Sequence, residues 1–169
     1  MKEPLEKRIE FLWKQHDYIS DFIKFADAKA GFIATVAIAV LGAMYSAHSG
    51  FSVTTPAHNH EIVNSRIMAA VSITFFVGSI LTAAWSIKPR QVTGKTTGQI
   101  SWVDIANYES AEDFDRAHSE QGAQSLASGL SVQVYKMATI CKRKHHLVAW
   151  SLIFALIGAI SLFVDFMLS

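Results

Sequence analysis

The sequence LVAWSLIFALIGAISLFVDFML, at Leu147–Leu168, is a long apolar stretch with one charged side chain, Asp165. Two further stretches of similar length and character lie at Phe25–Ala47 and Ile67–Ile87. A helix needs about 20 such residues to cross the hydrocarbon core of a bilayer. The sequence therefore predicts an all-α, multi-pass helical membrane protein, with three transmembrane helices and cytosolic helical extensions.

Composition narrows the function classes. The chain has 169 residues, of which 17% are charged, against about 25% in soluble domains. A net charge of +1 disfavours nucleic-acid binding, which needs a basic field. The single cysteine, Cys141, excludes a disulfide framework within the chain. The histidines lack ligand partners at metal spacing and no nucleophile–base pair is visible, so we expect neither a cofactor nor an enzyme.

We predict a single unit, 1–169, that divides along its length into six segments. These are a cytosolic amphipathic helix at 1–24, a first span at 25–47, an outer hairpin at 48–66, a second span at 67–87, a cytosolic loop and helix at 88–146, and a third span at 147–168. Lys and Arg concentrate in the two cytosolic segments and are absent from 49–65. Because cytoplasmic segments are enriched in these residues, the sequence predicts an inner-membrane protein with its N-terminus in the cytoplasm and its C-terminus in the periplasm.

Periodic patterns indicate helix packing. A seam with alternating steps of four and three, typical of a coiled coil, precedes and enters the first span. Its residues are Leu5, Ile9, Leu12, His16, Ile19, Ile23, Ala26 and Ala30. A second such seam comprises Leu126, Leu130, Gln133, Met137 and Ile140. In the second span, small residues recur at every fourth position, which lets helices approach closely. They are Ala70, Thr74, Gly78, Thr82 and Ser86. We expect a homo-oligomer, although packing within one chain would use the same residues.

The segment before the third span contains a helix start signal. Ser110 followed by Asp113 is typical of an N-cap with an acid in the first helical turn. We therefore expect a helix from Ala111 into the last span, with a break at Gly122 or Gly129.

Two groups of residues are candidates for a ligand site at the inner leaflet. Asp27 and Lys29 lie where the first span meets the cytosol, and ionisable residues at membrane depth are functional candidates by default. They would equally pair with other charges or extend toward water. A nucleotide also needs cations for its phosphate and a flat partner for its base. Residues of these types nearby are Arg90, Lys95, Trp102, Tyr135, Lys136 and Lys144. An anchor to the inner leaflet would use the same residues.

The sequence FADAKAG at Phe25–Gly31 resembles the FADxKA signature of the Pycsar transmembrane effectors, the PycTM family. The similarity continues over nearly the whole chain. It includes Pro89-Arg90, Ile100-Ser101-Trp102, Ser110 to Phe114, Gln133-Val134-Tyr135 and Lys144.

This resemblance implies a role in antiphage defence. In that family a partner cyclase makes cyclic CMP or cyclic UMP on infection, and the membrane effector responds by impairing the inner membrane. The expected partners are thus the lipid bilayer, a cyclic pyrimidine nucleotide and further copies of the chain, with no nucleic acid. Two alternatives stay open, a small oligomeric ion channel or transporter unit and a structural membrane scaffold. The channel would need a polar pore face, for which the candidates are Thr35, Ser72, Thr74 and Thr82.

Overall fold

The computed structural model describes residues 4–49, 59–88, 102–119 and 122–168. Five helices occupy these ranges, and no strand occurs within them. They are α1 (Leu5–Ser49), α2 (Asn59–Ile87), α3 (Trp102–Ala106), α4 (Ala111–Ser119) and α5 (Ala123–Leu168). The predicted all-α class is confirmed.

Among the described residues, three helices are long and apolar enough to cross a membrane, as predicted. The segments with this property are Leu5–Ser46, Ile67–Ile87 and Ala123–Met167. Helix α1 has 45 residues and α5 has 46, whereas a bilayer crossing needs about 20. Both helices therefore carry a long helical extension in addition to a span, in agreement with the predicted architecture.

The chain divides into two compact units. We call Met1–Phe25 with Pro89–Lys142 the extension unit, and Ala26–Lys88 with Arg143–Ser169 the spanning unit. Helices α1 and α5 contribute residues to both units, whereas α3 and α4 belong to the extension unit and the described part of α2 belongs to the spanning unit.

The two predicted seams are covered faces of α1 and α5. Every residue of either seam is buried or half-buried, and Leu12 and Leu130 are among the buried ones. Ala127 lies beside the second seam and is also fully buried. The apolar periodicity of both helices is therefore satisfied within one chain.

Helix α4 begins as predicted. The Asp113 backbone N–H donates to Ser110 Oγ at 3.1 Å, and the Ser110 hydroxyl donates to Asp113 Oδ2 at 2.8 Å. The first bond satisfies an N–H of the first turn that has no partner within the helix, and the second fixes the Ser110 hydroxyl against the acid. Helix α5 begins at Ala123 and passes through Gly129 without interruption, so of the two expected break points Gly122 is the correct one.

In the spanning unit, serine side chains of α2 bind backbone carbonyls of α5. The bonds are Ser72 Oγ to Gly158 O at 2.8 Å, Ser79 Oγ to Ser151 O at 2.8 Å, and Ser86 Oγ to Lys144 O at 3.4 Å. Each step of seven residues forward on α2 is matched by seven residues backward on α5. The two helices are therefore antiparallel and keep a heptad register.

Aromatic rings fill the spaces beside glycines at the same interface. The ring of Phe76 covers Gly158, where an added Cβ would lie 3.2 Å from ring carbons. The ring of Phe154 covers Gly78 less tightly, at 3.5 Å. Each helix thus places a ring against a glycine of the other, and the space is too small for a side chain without adjustment only at Gly158.

The buried face of α2 is not the predicted row of small residues. The buried residues are Ser72, Phe76, Ser79, Ala83 and Ser86, with alternating steps of four and three. Ala70 and Thr74 of the predicted row are exposed, Gly78 and Thr82 are half-buried, and Ser86 belongs to both rows. Packing within the chain therefore follows the heptad pattern rather than the four-residue repeat.

Candidate functional site

An ion pair joins α1 to α5 in the spanning unit. Lys144 Nζ lies 2.5 Å from Oδ1 and 2.7 Å from Oδ2 of Asp27, so that one ammonium contacts both carboxylate oxygens. The Lys144 side chain is only 7% exposed, whereas that of Asp27 is 33% exposed. The ammonium is therefore withdrawn from solvent, while the carboxylate keeps one open side.

A layer of small residues positions this pair. Ala26 and Ala30 of α1 form one buried cluster with Ala83 of α2 and Val148 of α5. Alanine side chains allow the three helices to approach closely, which brings the short Asp27 side chain within reach of Lys144. Ala26 and Ala30 of the FADAKAG sequence thus have a packing role that places its carboxylate.

Lys144 bonds α5 to both of the other apolar helices, α1 and α2. Its ammonium binds Asp27 of α1, and its backbone carbonyl accepts the hydrogen bond from Ser86 of α2 at 3.4 Å. A single residue of α5 therefore contacts polar groups of both other helices in the layer that contains Ala26, Ala30 and Ala83.

Electrostatics make this pair different from the others in the described chain. Removing one partner of a buried pair leaves an uncompensated charge and typically costs about 3–5 kcal/mol. By contrast, Lys24 and Asp21 form a pair at 3.0 Å on the surface of α1, where both side chains are 74% exposed. Pairs of that kind contribute little, because water screens them.

The structure brings together only some of the predicted ligand residues. Asp27 and Lys144 bind each other, and Lys29 is exposed on α1 beyond them. In the extension unit, Tyr135 is exposed and Lys136 is half-buried on α5. Arg90, Lys95 and the side chain of Trp102 lie outside the described residues. Binding of a ligand by these eight residues stays a prediction.

Sequence reasoning named Asp27 and Lys144 separately but missed their pairing. One signal was present, because Lys144 occupies the next position of the seam that runs through Met137 and Ile140. A lysine at a seam position is buried and needs a partner charge. The heptad row of serines on α2 was also missed: Ser72 and Ser86 were named for other roles, although Ser72, Ser79 and Ser86 recur at intervals of seven residues.

Three apolar helices joined by serine–carbonyl bonds and a buried ion pair define a polytopic helical membrane protein. Comparison with known protein families matches residues 11–169 to PycTM, described as the Pycsar effector protein domain. The chain therefore belongs to the Pycsar effector family, which confirms the resemblance of FADAKAG and implies an effector role in antiphage defence. Comparison with curated proteins and with solved structures gives no match.

Proposed function

We propose that this protein is a non-enzymatic effector of the bacterial inner membrane. Its trigger is a cyclic pyrimidine mononucleotide, cCMP or cUMP, made by a partner cyclase, and its response is to impair the integrity of the membrane. The observation that carries the proposal is the family match over 11–169 in a chain whose three apolar helices meet at the buried Lys144. Antiphage defence follows from membership of the family, whereas the trigger and the response are our proposal.

In the proposed resting state, the Asp27–Lys144 pair holds α1 against α2 and α5. A ligand changes a conformational equilibrium only by its difference in affinity for the two states. The nucleotide therefore has to favour a state in which this pair is open. An ammonium and a carboxylate separated within an apolar layer attract water strongly, so opening the pair promotes hydration between the helices. Support for this step comes from the burial of Lys144.

The proposed trigger requires a cytoplasmic site, because the cyclase acts inside the cell. We propose that the N-terminus is cytoplasmic and the C-terminus periplasmic, on the basis of the distribution of Lys and Arg. A periplasmically active alkaline phosphatase fused after Ser169 should be active, and the same reporter inserted at residues 95–98 should be inactive. Activity at 95–98 would contradict this orientation.

The direct test is dye release from proteoliposomes that contain the purified protein. We expect cCMP or cUMP to release the dye and cyclic AMP to have no effect. Arg90→Ala and Lys29→Ala should lose nucleotide binding if these cations contact the phosphate. Release without any nucleotide would favour the channel alternative. Nucleotide-insensitive, intact liposomes would favour a scaffold and contradict the effector mechanism.

The proposed resting lock has its own test with a matched control. Asp27→Asn and Lys144→Met should each release dye without nucleotide, because each opens the pair. Asp21→Asn and Lys24→Ala disrupt the exposed pair on the same helix and should behave as the unsubstituted protein. If all four variants stay closed until nucleotide is added, the ion pair is not the lock.

The ion-channel alternative ranks second, because the hydroxyl groups of its candidate pore residues all donate hydrogen bonds to backbone carbonyls of the protein and not toward a pore. Thr35 donates to Gly31 O at 2.9 Å, and Thr74 donates to Ala70 O at 2.8 Å. Ser72 is buried and donates to α5. Thr82 bonds to carbonyls of its own helix, like Thr35 and Thr74.

A further inference from the structure

A row of exposed aromatic residues follows one face of α1. Phe11, Tyr18, Phe25 and Phe32 succeed one another at intervals of seven residues, and each is more than half exposed. Phe22 widens the row, since its ring lies 4.7 Å from that of Tyr18 between centroids. A spacing of seven residues keeps side chains on one side of a supercoiled helix, at one of the two core positions of each heptad.

The aromatic row is distinct from the seam that packs within the chain. Leu12, Ile19 and Ala26 of that seam each follow a member of the row by one residue and are buried or half-buried. One residue corresponds to a rotation of about 100° around a helix. Helix α1 can therefore contact its own chain through the seam and a second helix through the row.

Two chemically different settings adjoin the row. Near Phe11 and Tyr18, α1 exposes many charged side chains, which places these rings in water. The charged residues are Lys7, Arg8, Glu10, Lys14, Asp17, Asp21 and Lys24. Phe32 lies in the apolar part of the helix. Lipid tails would cover Phe32 but not Phe11, and a soluble protein would cover Phe11 but not Phe32. Contiguous exposed apolar surface of this kind marks an interaction site.

We infer that the row is the surface through which α1 of one copy packs against α1 of a second copy, in a parallel coiled coil. Copies that insert with the same topology hold their α1 helices parallel and at the same depth. Each aromatic residue of the row then contacts the same residue of the partner. These contacts run from the charged part of α1 to its apolar part. The surface therefore fits a second copy of this chain along its whole length.

This inference goes beyond the proposed function, and its test needs neither nucleotide nor cyclase. Single cysteines are placed in a Cys141→Ser background, and membrane vesicles are oxidised with copper phenanthroline. Phe11→Cys and Tyr18→Cys should give disulfide-linked dimers, because these positions face their equivalents. The matched controls Asp17→Cys and Lys24→Cys are exposed on the neighbouring face and should stay largely monomeric.

Equal cross-linking at the row and the control positions, or no dimer at Phe11→Cys and Tyr18→Cys, would overturn the inference. A second measurement does not depend on the cysteine variants. In nanodiscs, the unsubstituted chain and Tyr18→Phe should have the mass of an oligomer, and Tyr18→Glu should lose it. A monomeric unsubstituted chain, or an oligomer that persists in Tyr18→Glu, would equally overturn the interface.

Discussion

The contacts between α2 and α5 differ in chemistry from the described contacts that hold α1 in the same unit. Between α2 and α5, hydroxyls bind carbonyls at successive heptads and rings cover glycines. Helix α1 is held by small apolar residues and by the pair of Asp27 with Lys144. The first interface distributes its energy over many neutral contacts, so that losing one changes little. The second concentrates energy in one pair of charges, so that losing either charge should weaken the hold on α1 strongly.

The largest expected effect follows from Lys144→Met. This change leaves the Asp27 carboxylate without its ammonium, and we expect a loss of about 3 kcal/mol in the free energy of unfolding. The value is at the lower end for a buried pair, because Asp27 is one-third exposed. Unfolding in mixed detergent–SDS micelles measures it.

The double variant Asp27→Asn with Lys144→Met is the control for this prediction. It removes both charges together and should recover part of the lost stability, because no buried charge is left alone. A double variant as unstable as the sum of the two single variants would show that the charges do not interact.

Gly158→Ala tests the tighter of the two ring-on-glycine contacts. The added methyl would lie 3.2 Å from the Phe76 ring, so the ring must move. Overpacking of this kind costs about 1–3 kcal/mol, and we expect the lower part of that range. Gly78→Ala is the matched control, since its methyl would lie 3.5 Å from the Phe154 ring, at ordinary contact distance. Equal destabilisation by both changes would contradict this account.

Removing one serine bond should have a smaller effect. Ser79 and Ser151 each donate to the carbonyl of the other, at 2.8 and 2.9 Å. We expect about 0.6 kcal/mol for Ser79→Ala, the average for hydrogen bonds between membrane helices. Thr74→Ala removes a bond within α2 alone and should not weaken the α2–α5 interface. A loss for Ser79→Ala as large as that for Lys144→Met would remove the contrast between the two interfaces.

The smallest effect is expected at the exposed pair of Lys24 and Asp21. Both side chains are already largely in water, so Lys24→Ala should leave the unfolding curve unchanged. Comparison of this variant with Lys144→Met at low and high salt separates the two kinds of pair. A clear salt-dependent loss for Lys24→Ala would mean that surface charges also hold α1.

The parts of the fold that depend on local signals could be predicted from the sequence. The three spans follow from apolar length, and the start of α4 follows from Ser110 and Asp113. The Asp27–Lys144 pair could not, because 117 residues separate its members. Their meeting depends on how the three helices pack and on their relative depth, which no local pattern specifies.

The packed face of α2 shows a second limit. The helix contains both a four-residue row of small residues and a heptad row of serines, and either is suitable for close packing. The choice depends on where Phe76 and Phe154 insert, since each ring lies against a glycine of the opposite helix. Such complementarity involves two segments at once and is absent from the pattern of either segment alone.

The register of the serines also restricts how this sequence can change in length. One residue inserted between Ser72 and Ser79 would rotate the rest of α2 by about 100° and take the serines on one side away from their carbonyls. An insertion in α5 could restore the bonds only if it fell between Ser151 and Gly158, the residues that accept from Ser79 and Ser72. An insertion between α1 and α2, at residues 50–58, would leave every serine opposite its carbonyl. We therefore expect relatives of this chain to vary in length there, and to keep the distance from Ser72 to Ser86 constant.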